Sequence, residues 1–193
     1  MADPTERELL AGLRAQCPRA GQWLVRLYYG SVYRFLATLG CDTHRAEDLT
    51  QDTFAAAWAA LDGFEQQSSL RTWLLAIAYR KFVSDLRSRS RRAALTKALA
   101  DREVRSGRSP RLPGGHSPSP LRDVLASERL AKLAEALGRL KASDRTILAA
   151  KYVEDLTSEQ IGRVVGKPAG TVRSRIHIAL RRLREMLDGE VEP

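Results

Sequence analysis

The chain has 193 residues, 32 Lys and Arg against 23 Asp and Glu, a formal net charge of +9 and a pI near 10.1. That length allows one domain or two small ones, and that charge makes a polyanion the default partner. The two cysteines, Cys17 and Cys41, form no CxxC and have no paired histidine, which argues against a zinc site or a disulfide framework and for reduced thiols in the cytoplasm. Charged residues interrupt every apolar run and the acidic N-terminus lacks an apolar stretch, so neither a membrane span nor a signal peptide is expected.

Taken in chain order, the periodicity is helical. A short helix is expected around Thr5 to Ala15. Leu24, Leu27, Tyr28, Ser31, Val32, Phe35, Leu36 and Leu39 recur at i, i+3, i+4, i+7, and so do Ala46, Leu49, Thr53, Phe54, Ala57, Trp58 and Leu61. A third such segment runs from Leu70 through Trp73, Leu74, Ile77, Phe82 and Leu86. The Arg-dense stretch from Arg87 to Arg105 either extends it or is partly disordered. Residues 106–120 are rich in Ser, Gly and Pro, cannot bury a core, and read as a flexible linker. Helical period resumes at Leu121 and includes Leu130, Leu133, Ala134, Leu137 and Leu140. No run alternates long enough to predict a strand. The fold class is all-α, with two small helical domains over 1–95 and 122–193 joined by a linker over 96–121.

The last domain carries a helix-turn-helix pattern. Thr157 and Gln160 have capping-box spacing, Gly166-Lys167-Pro168-Ala169-Gly170 stops the helix, and Thr171 reads as the cap of a second, arginine-rich one. On a helical wheel Val172, Ile176, Ala179, Leu180, Leu183 and Leu187 form a packing face. Ser174, His177, Ile178 and Arg181 point the other way, with Arg173 and Arg175 on the flanks. A short helix, a tight turn and a basic second helix suit major-groove reading of duplex DNA.

Two further constellations lie in the first domain. Asp48, Gln51 and Asp52 share one face at i, i+3, i+4. With no nearby histidine and no third carboxylate, they suit docking to a positive protein surface better than catalysis or metal binding. The third helix interleaves Arg71, Trp73, Tyr79, Arg80, Lys81, Phe82 and Arg87, a mixture that suits single-stranded nucleic acid, although Trp73 and Phe82 equally suit a core. The polar loop from Phe64 to Ser69 before it can wall a pocket for an extruded base.

In this order the pieces resemble an extracytoplasmic-function (group IV) sigma factor of the sigma-70 family. Val32-Tyr33-Arg34-Phe35-Leu36, Ala46 to Phe54 with Trp58, and Leu70 to Ala78 look like region 2. Leu140 to Leu187, including Asp144-Arg145 and Gly170 to Arg175, looks like region 4. The resemblance implies a transcription initiation factor rather than an enzyme, with no cofactor, no catalytic residue and no metal site. It implies that Asp48, Leu49, Gln51, Asp52 and Phe54 bind core RNA polymerase at the β′ clamp helices, with region 4 at the β flap. Ser69, Arg71, Trp73, Tyr79, Arg80, Lys81, Ser84 and Arg87 would recognise and melt the minus-ten element and hold the non-template strand. Thr171, Arg173, Ser174, Arg175, His177 and Arg181 would read the duplex minus-thirty-five element. An anti-sigma factor is the implied inhibitory partner. Arg80 and Ile178 depart from the family pattern, which often has a small amide and an Arg there. The competing reading is a stand-alone helix-turn-helix regulator, which leaves the acidic face and the aromatic-basic helix unexplained.

Overall fold

The computed structural model describes residues 3–104 and 128–188, the side chains of 97–104 and 128–131 excepted. Among the described residues there are eight α-helices, one 3₁₀ turn and no strand. They are α1 (Glu6–Arg14), α2 (Pro18–Thr38), α3 (Thr43–Ala59), the 3₁₀ turn (Leu61–Gly63), α4 (Leu70–Val104), α5 (Glu128–Arg139), α6 (Ala142–Tyr152), α7 (Ser158–Val165) and α8 (Ala169–Asp188). α4 continues through residue 95, where the sequence alone ended the first domain; residues 105–121 of the expected linker lie outside the described residues.

Local sequence sets the helix ends. Thr5 and Glu8 form a capping box on α1. Pro18 opens α2, Gly40 at φ 93° closes it, and the Asp42 carboxylate caps α3 by accepting Arg45 N–H at 2.9 Å. The expected box of Thr157 and Gln160 caps α7. α8 begins at Ala169, so Thr171 lies in its first turn and is not its cap. Pro168, whose fixed φ favours helix entry, supplies the carbonyl that accepts Val172 N–H at 3.1 Å. The turn between α7 and α8 is tight. Gly166 takes the left-handed conformation at φ 67°, and a Cβ on Gly162 would stand 2.5 Å from the Lys167 carbonyl oxygen.

α2, α3 and α4 form the first bundle around Phe35, Leu36, Leu70, Leu74 and Leu75, with α1 laid across its end. Arg45 joins α3 to α4 by donating from Nε to Asp85 at 2.6 Å. Trp58 and Leu86, expected inside by periodicity, are 46% and 41% exposed, and Trp58 lies over Gly21 at the rim. Cys41 is buried, which pushes its thiol up to about 11 and leaves it an inert core sulfur.

The apolar core does not stop at the first bundle. It runs on through Ile147, Ala150, Ile161, Val164 and Val172, because α7 packs along α4 and α6 touches α2. A second cluster of Leu140, Leu148 and Ala179 seats α8. The expected two domains are therefore packed together. We predict that Gly162→Ala destabilises the chain by about 1–3 kcal/mol through overpacking of the turn. Thermal denaturation reads this as a fall of about 2–4 °C per kcal/mol at this size, and an unchanged melting temperature would show the turn is not tight.

Candidate nucleic-acid and polymerase interface

On α4, Trp73, Ala76, Arg80, Ser84 and Arg87 follow one another at intervals of three and four residues, so they share a stripe. Arg80, Ser84 and Arg87 are exposed along it. At its head is an open pocket of about 260 Å³. Phe64 and Trp73 pack against each other there with ring centroids 4.8 Å apart, and Gln67, Ser68 and Thr72 form the walls. A volume at or below the usual range of about 300–1,000 Å³ for small-molecule sites suits one planar ring. Ser69 caps α4, its Oγ accepting Thr72 N–H at 3.2 Å.

Three residues assigned to this surface from the sequence lie off the stripe. Tyr79 packs against the core. Lys81 points to the α3 side, 3.9 Å from Asp52. Arg71 turns the opposite way, to the α6–α7 turn, where it donates from Nη2 to the carboxylate of Glu154. Ser31 Oγ donates to the same carboxylate oxygen, and Arg71 Nε donates to Ser31 Oγ at 3.2 Å. Glu154 is fully buried, and among the described residues its other oxygen has no partner. Two more contacts join the halves: Arg145 Nη1 donates to the Leu39 carbonyl at 3.2 Å, and Arg163 donates to the Gln67 carbonyl at the pocket rim. Burial lowers the pKa of the Arg145 guanidinium. Sequence reasoning missed Ser31, Arg145, Glu154 and Arg163 in this role; their partners stand 40 to 123 positions away, beyond any local pattern.

Asp48, Gln51 and Asp52 are exposed together on α3. Leu49 is not part of that face: it is 6% exposed and packed in the core, the inward side of the same helical turn. Phe54 is half-buried and stacks on Tyr29, which stacks in turn on Tyr33, with centroids 6.4 and 6.2 Å apart.

On α8, Thr171, Arg173, Ser174, His177 and Arg181 are exposed, as is Ile178 at 40%. Arg173 pairs loosely with Glu159 at 3.2 Å and Arg181 with Glu185 at 3.7 Å, exposed pairs of little strength that a phosphate can displace. The Glu159 carboxyl is held below its usual range by its own backbone N–H, then by the Thr157 hydroxyl. Arg175 behaves differently. Its Nη1 lies 2.7 Å from the buried Asp144 carboxylate and 3.1 Å from Ser143 Oγ, and Arg182 reaches the other Asp144 oxygen at 3.5 Å. Arg175 is thus engaged in seating α8 on α6. Among the described residues no group of three or more His, Cys, Asp and Glu side chains could hold a metal ion, and no helix is long and apolar enough to cross a membrane.

We predict that Asp144→Ala destabilises the chain by about 1.5–3 kcal/mol, the range for hydrogen bonds to charged groups. Asp144→Asn, which keeps one acceptor, should lose less. Equal melting temperatures for wild type and Asp144→Ala would remove Asp144 as the anchor.

Comparison with known proteins places this geometry. The sigma-70 region 2 family matches residues 24–92, and the sigma-70 region 4 family matches residues 136–185. The ECF RNA polymerase sigma factor SigC of Mycobacterium tuberculosis is 34% identical, over 91% of this chain and 85% of that protein. RNA polymerase sigma factor NccH of Alcaligenes xylosoxydans xylosoxydans is 30% identical over 97% of each. Among solved structures, CnrH in complex with the cytosolic domain of CnrY superposes with a TM-score of 0.67 at 25% identity, covering 95% of this chain and 97% of that one. The sigma factor RpoE in complex with the anti-sigma factor NepR from Bartonella quintana gives 0.62 at 28% identity, covering 88% and 96%. A stand-alone regulator has no place for the region 2 half. The chain belongs to the sigma-70 family, as an extracytoplasmic-function RNA polymerase sigma factor that directs core polymerase to promoters.

Proposed function

We propose the following division of labour within this sigma factor. The exposed face of Asp48, Gln51 and Asp52, bordered by Phe54, docks on the clamp helices of the polymerase β′ subunit. The pocket lined by Phe64 and Trp73 takes a base flipped from the melted minus-ten element, and the stripe of Arg80, Ser84 and Arg87 tracks the non-template strand. Thr171, Arg173, Ser174, His177 and Arg181 of α8 read the minus-thirty-five duplex, while region 4 contacts the β flap. The protein works in the cytoplasm by binding, without catalysing a bond change. The observation that carries this reading is the stripe: one helix face leads from a ring-sized pocket onto exposed arginines.

The mechanism is differential binding. Stacking is worth on the order of 1–3 kcal/mol per base, enough to offset the few kcal/mol needed to extrude one. Phosphate contacts add affinity that falls with salt and carry no sequence information. Holding both domains on one polymerase raises the effective concentration of each at its own element.

The packed arrangement cannot engage both elements at once. They lie about 25 base pairs apart, roughly 85 Å of duplex at about 3.4 Å per pair. Here Arg163 of the helix-turn-helix touches Gln67 of the minus-ten pocket. The closed form is therefore a resting form, and promoter binding separates the halves. An anti-sigma partner, of the kind present in the RpoE complex, would act by holding the closed form.

Two predictions follow from this reading. Asp48→Ala with Gln51→Ala should abolish co-elution with core RNA polymerase on size exclusion while leaving the helical circular dichroism signal intact; retained co-elution would move the docking face elsewhere. Arg71→Met should leave Glu154 buried without a cationic partner. Breaking a fully buried pair costs about 3–5 kcal/mol, and less is expected here because Arg71 is 37% exposed. The radius of gyration of the free protein, by small-angle X-ray scattering, should rise. An unchanged radius would mean that the halves stay packed without Arg71 opposite Glu154.

A further inference from the structure

Two side chains of α1 reach opposite ends of the loop that walls the pocket. Arg14 Nη2 donates to the Phe64 carbonyl at 3.1 Å, where the loop begins. The Glu6 carboxylate accepts the Leu70 N–H at 2.7 Å, where it ends. Leu70 is the first residue of α4, so its N–H is one that no helical carbonyl can satisfy. Glu6 also brings negative charge to the positive end of that helix.

The loop needs such anchors. Gln66 at φ 57° is left-handed, which costs a non-glycine residue roughly 1–2 kcal/mol and persists only where the surroundings impose it. Packing does not impose it from behind. There lies a second cleft, of about 570 Å³, lined by Glu6, Arg7, Leu10, Arg14, Gln66 and Ser68 among others. The loop is thus a thin partition, with Ser68 lining the spaces on both sides. Its other long-range hydrogen bond, among the described residues, is the one from Arg163, and that bond is lost when the halves separate. The α1 anchors are then what remains. Both lie ahead of residue 24, where the region 2 family match begins.

We infer that Glu6 and Arg14 are positioning residues for promoter selection: they hold the wall of residues 64–69 against Trp73, so that a flipped base meets a preformed pocket. This rests on the minus-ten reading of that pocket. Discrimination between bases is a difference of affinities. A wall that samples several conformations blurs that difference and must be ordered when the base enters.

The test uses holoenzyme reconstituted from full-length chain and bacterial core polymerase, transcribing a template library randomised across the minus-ten and minus-thirty-five elements. Glu6→Ala and Arg14→Ala should each reduce the strongest single-base preference in the minus-ten element roughly fivefold, the factor that one ordinary hydrogen bond carries. Minus-thirty-five preferences should be unchanged. Glu6→Gln keeps an acceptor oxygen and should retain most of the wild-type preference. A variant that merely folds less well lowers transcription from all templates alike and leaves the preferences intact; that result, or wild-type behaviour, overturns the positioning role. Ser68→Phe, which fills the pocket, separates the two levels. If it alters minus-ten preference and the α1 variants do not, only the positioning role fails. If none of them does, the minus-ten reading of the pocket fails with it.

Discussion

A carboxylate with no access to solvent sits at the junction of the two halves. Glu154, in the turn between α6 and α7, is received by Ser31 of α2 and Arg71 of α4. Removing a carboxylate from water is costly, and one ion pair with a hydroxyl offsets that only in part when the second oxygen has no partner among the described residues. An apolar seam would hold the halves more firmly. The surrounding contact of α4 with α7 buries Ile161 and Val164 and supplies the attraction, while the charge fixes register and weakens the join. Such an interface fits the proposed alternation between a closed and an open form.

The same logic sorts the arginines. A chain with a net charge of +9 could offer every guanidinium to DNA, but several are engaged within the protein. Arg45 ties α3 to α4 through Asp85, Arg71 and Arg145 tie the two halves, and Arg175 seats α8 through Asp144. Among others that are exposed, Arg80 and Arg87 face outward along one stripe of α4, and Arg173 and Arg181 on α8 make only weak contacts. That sorting leaves Arg80 and Arg87 for the proposed strand contact, and Arg173 and Arg181 for the proposed duplex contact.

Much of this was legible in the sequence because it is local. The helices over 24–61, the start of α4 at Leu70 and the capping box at Thr157 follow from periodicity and cap chemistry, which act over a few residues. On α4, Arg80 and Arg87 were singled out by the mixture of bases and aromatics, and Ser84 by the family resemblance; all three are exposed. Part of what failed depends on distant partners. Arg173 and Arg175 are alike in sequence context, yet Asp144, 31 positions earlier, claims only the second. Leu49 sits between acidic neighbours but on the inner side of the helix. Thr171 resembles a cap, but Pro168 starts the helix earlier. Glu6, Arg14 and Glu154 carry no local signature, since each meets its partner 50 or more positions away.

The central claim is that one interface holds this sigma factor closed at rest and parts when it works. Energy transfer between a donor at Ala55 on α3 and an acceptor at Arg184 on α8, both exposed positions, tests it most directly. Cysteines introduced at those positions, with Cys17 and Cys41 replaced, would carry the dyes. The account predicts efficient transfer in the free protein and a large loss on binding core RNA polymerase with promoter DNA. Equal transfer in the free and promoter-bound states would contradict it.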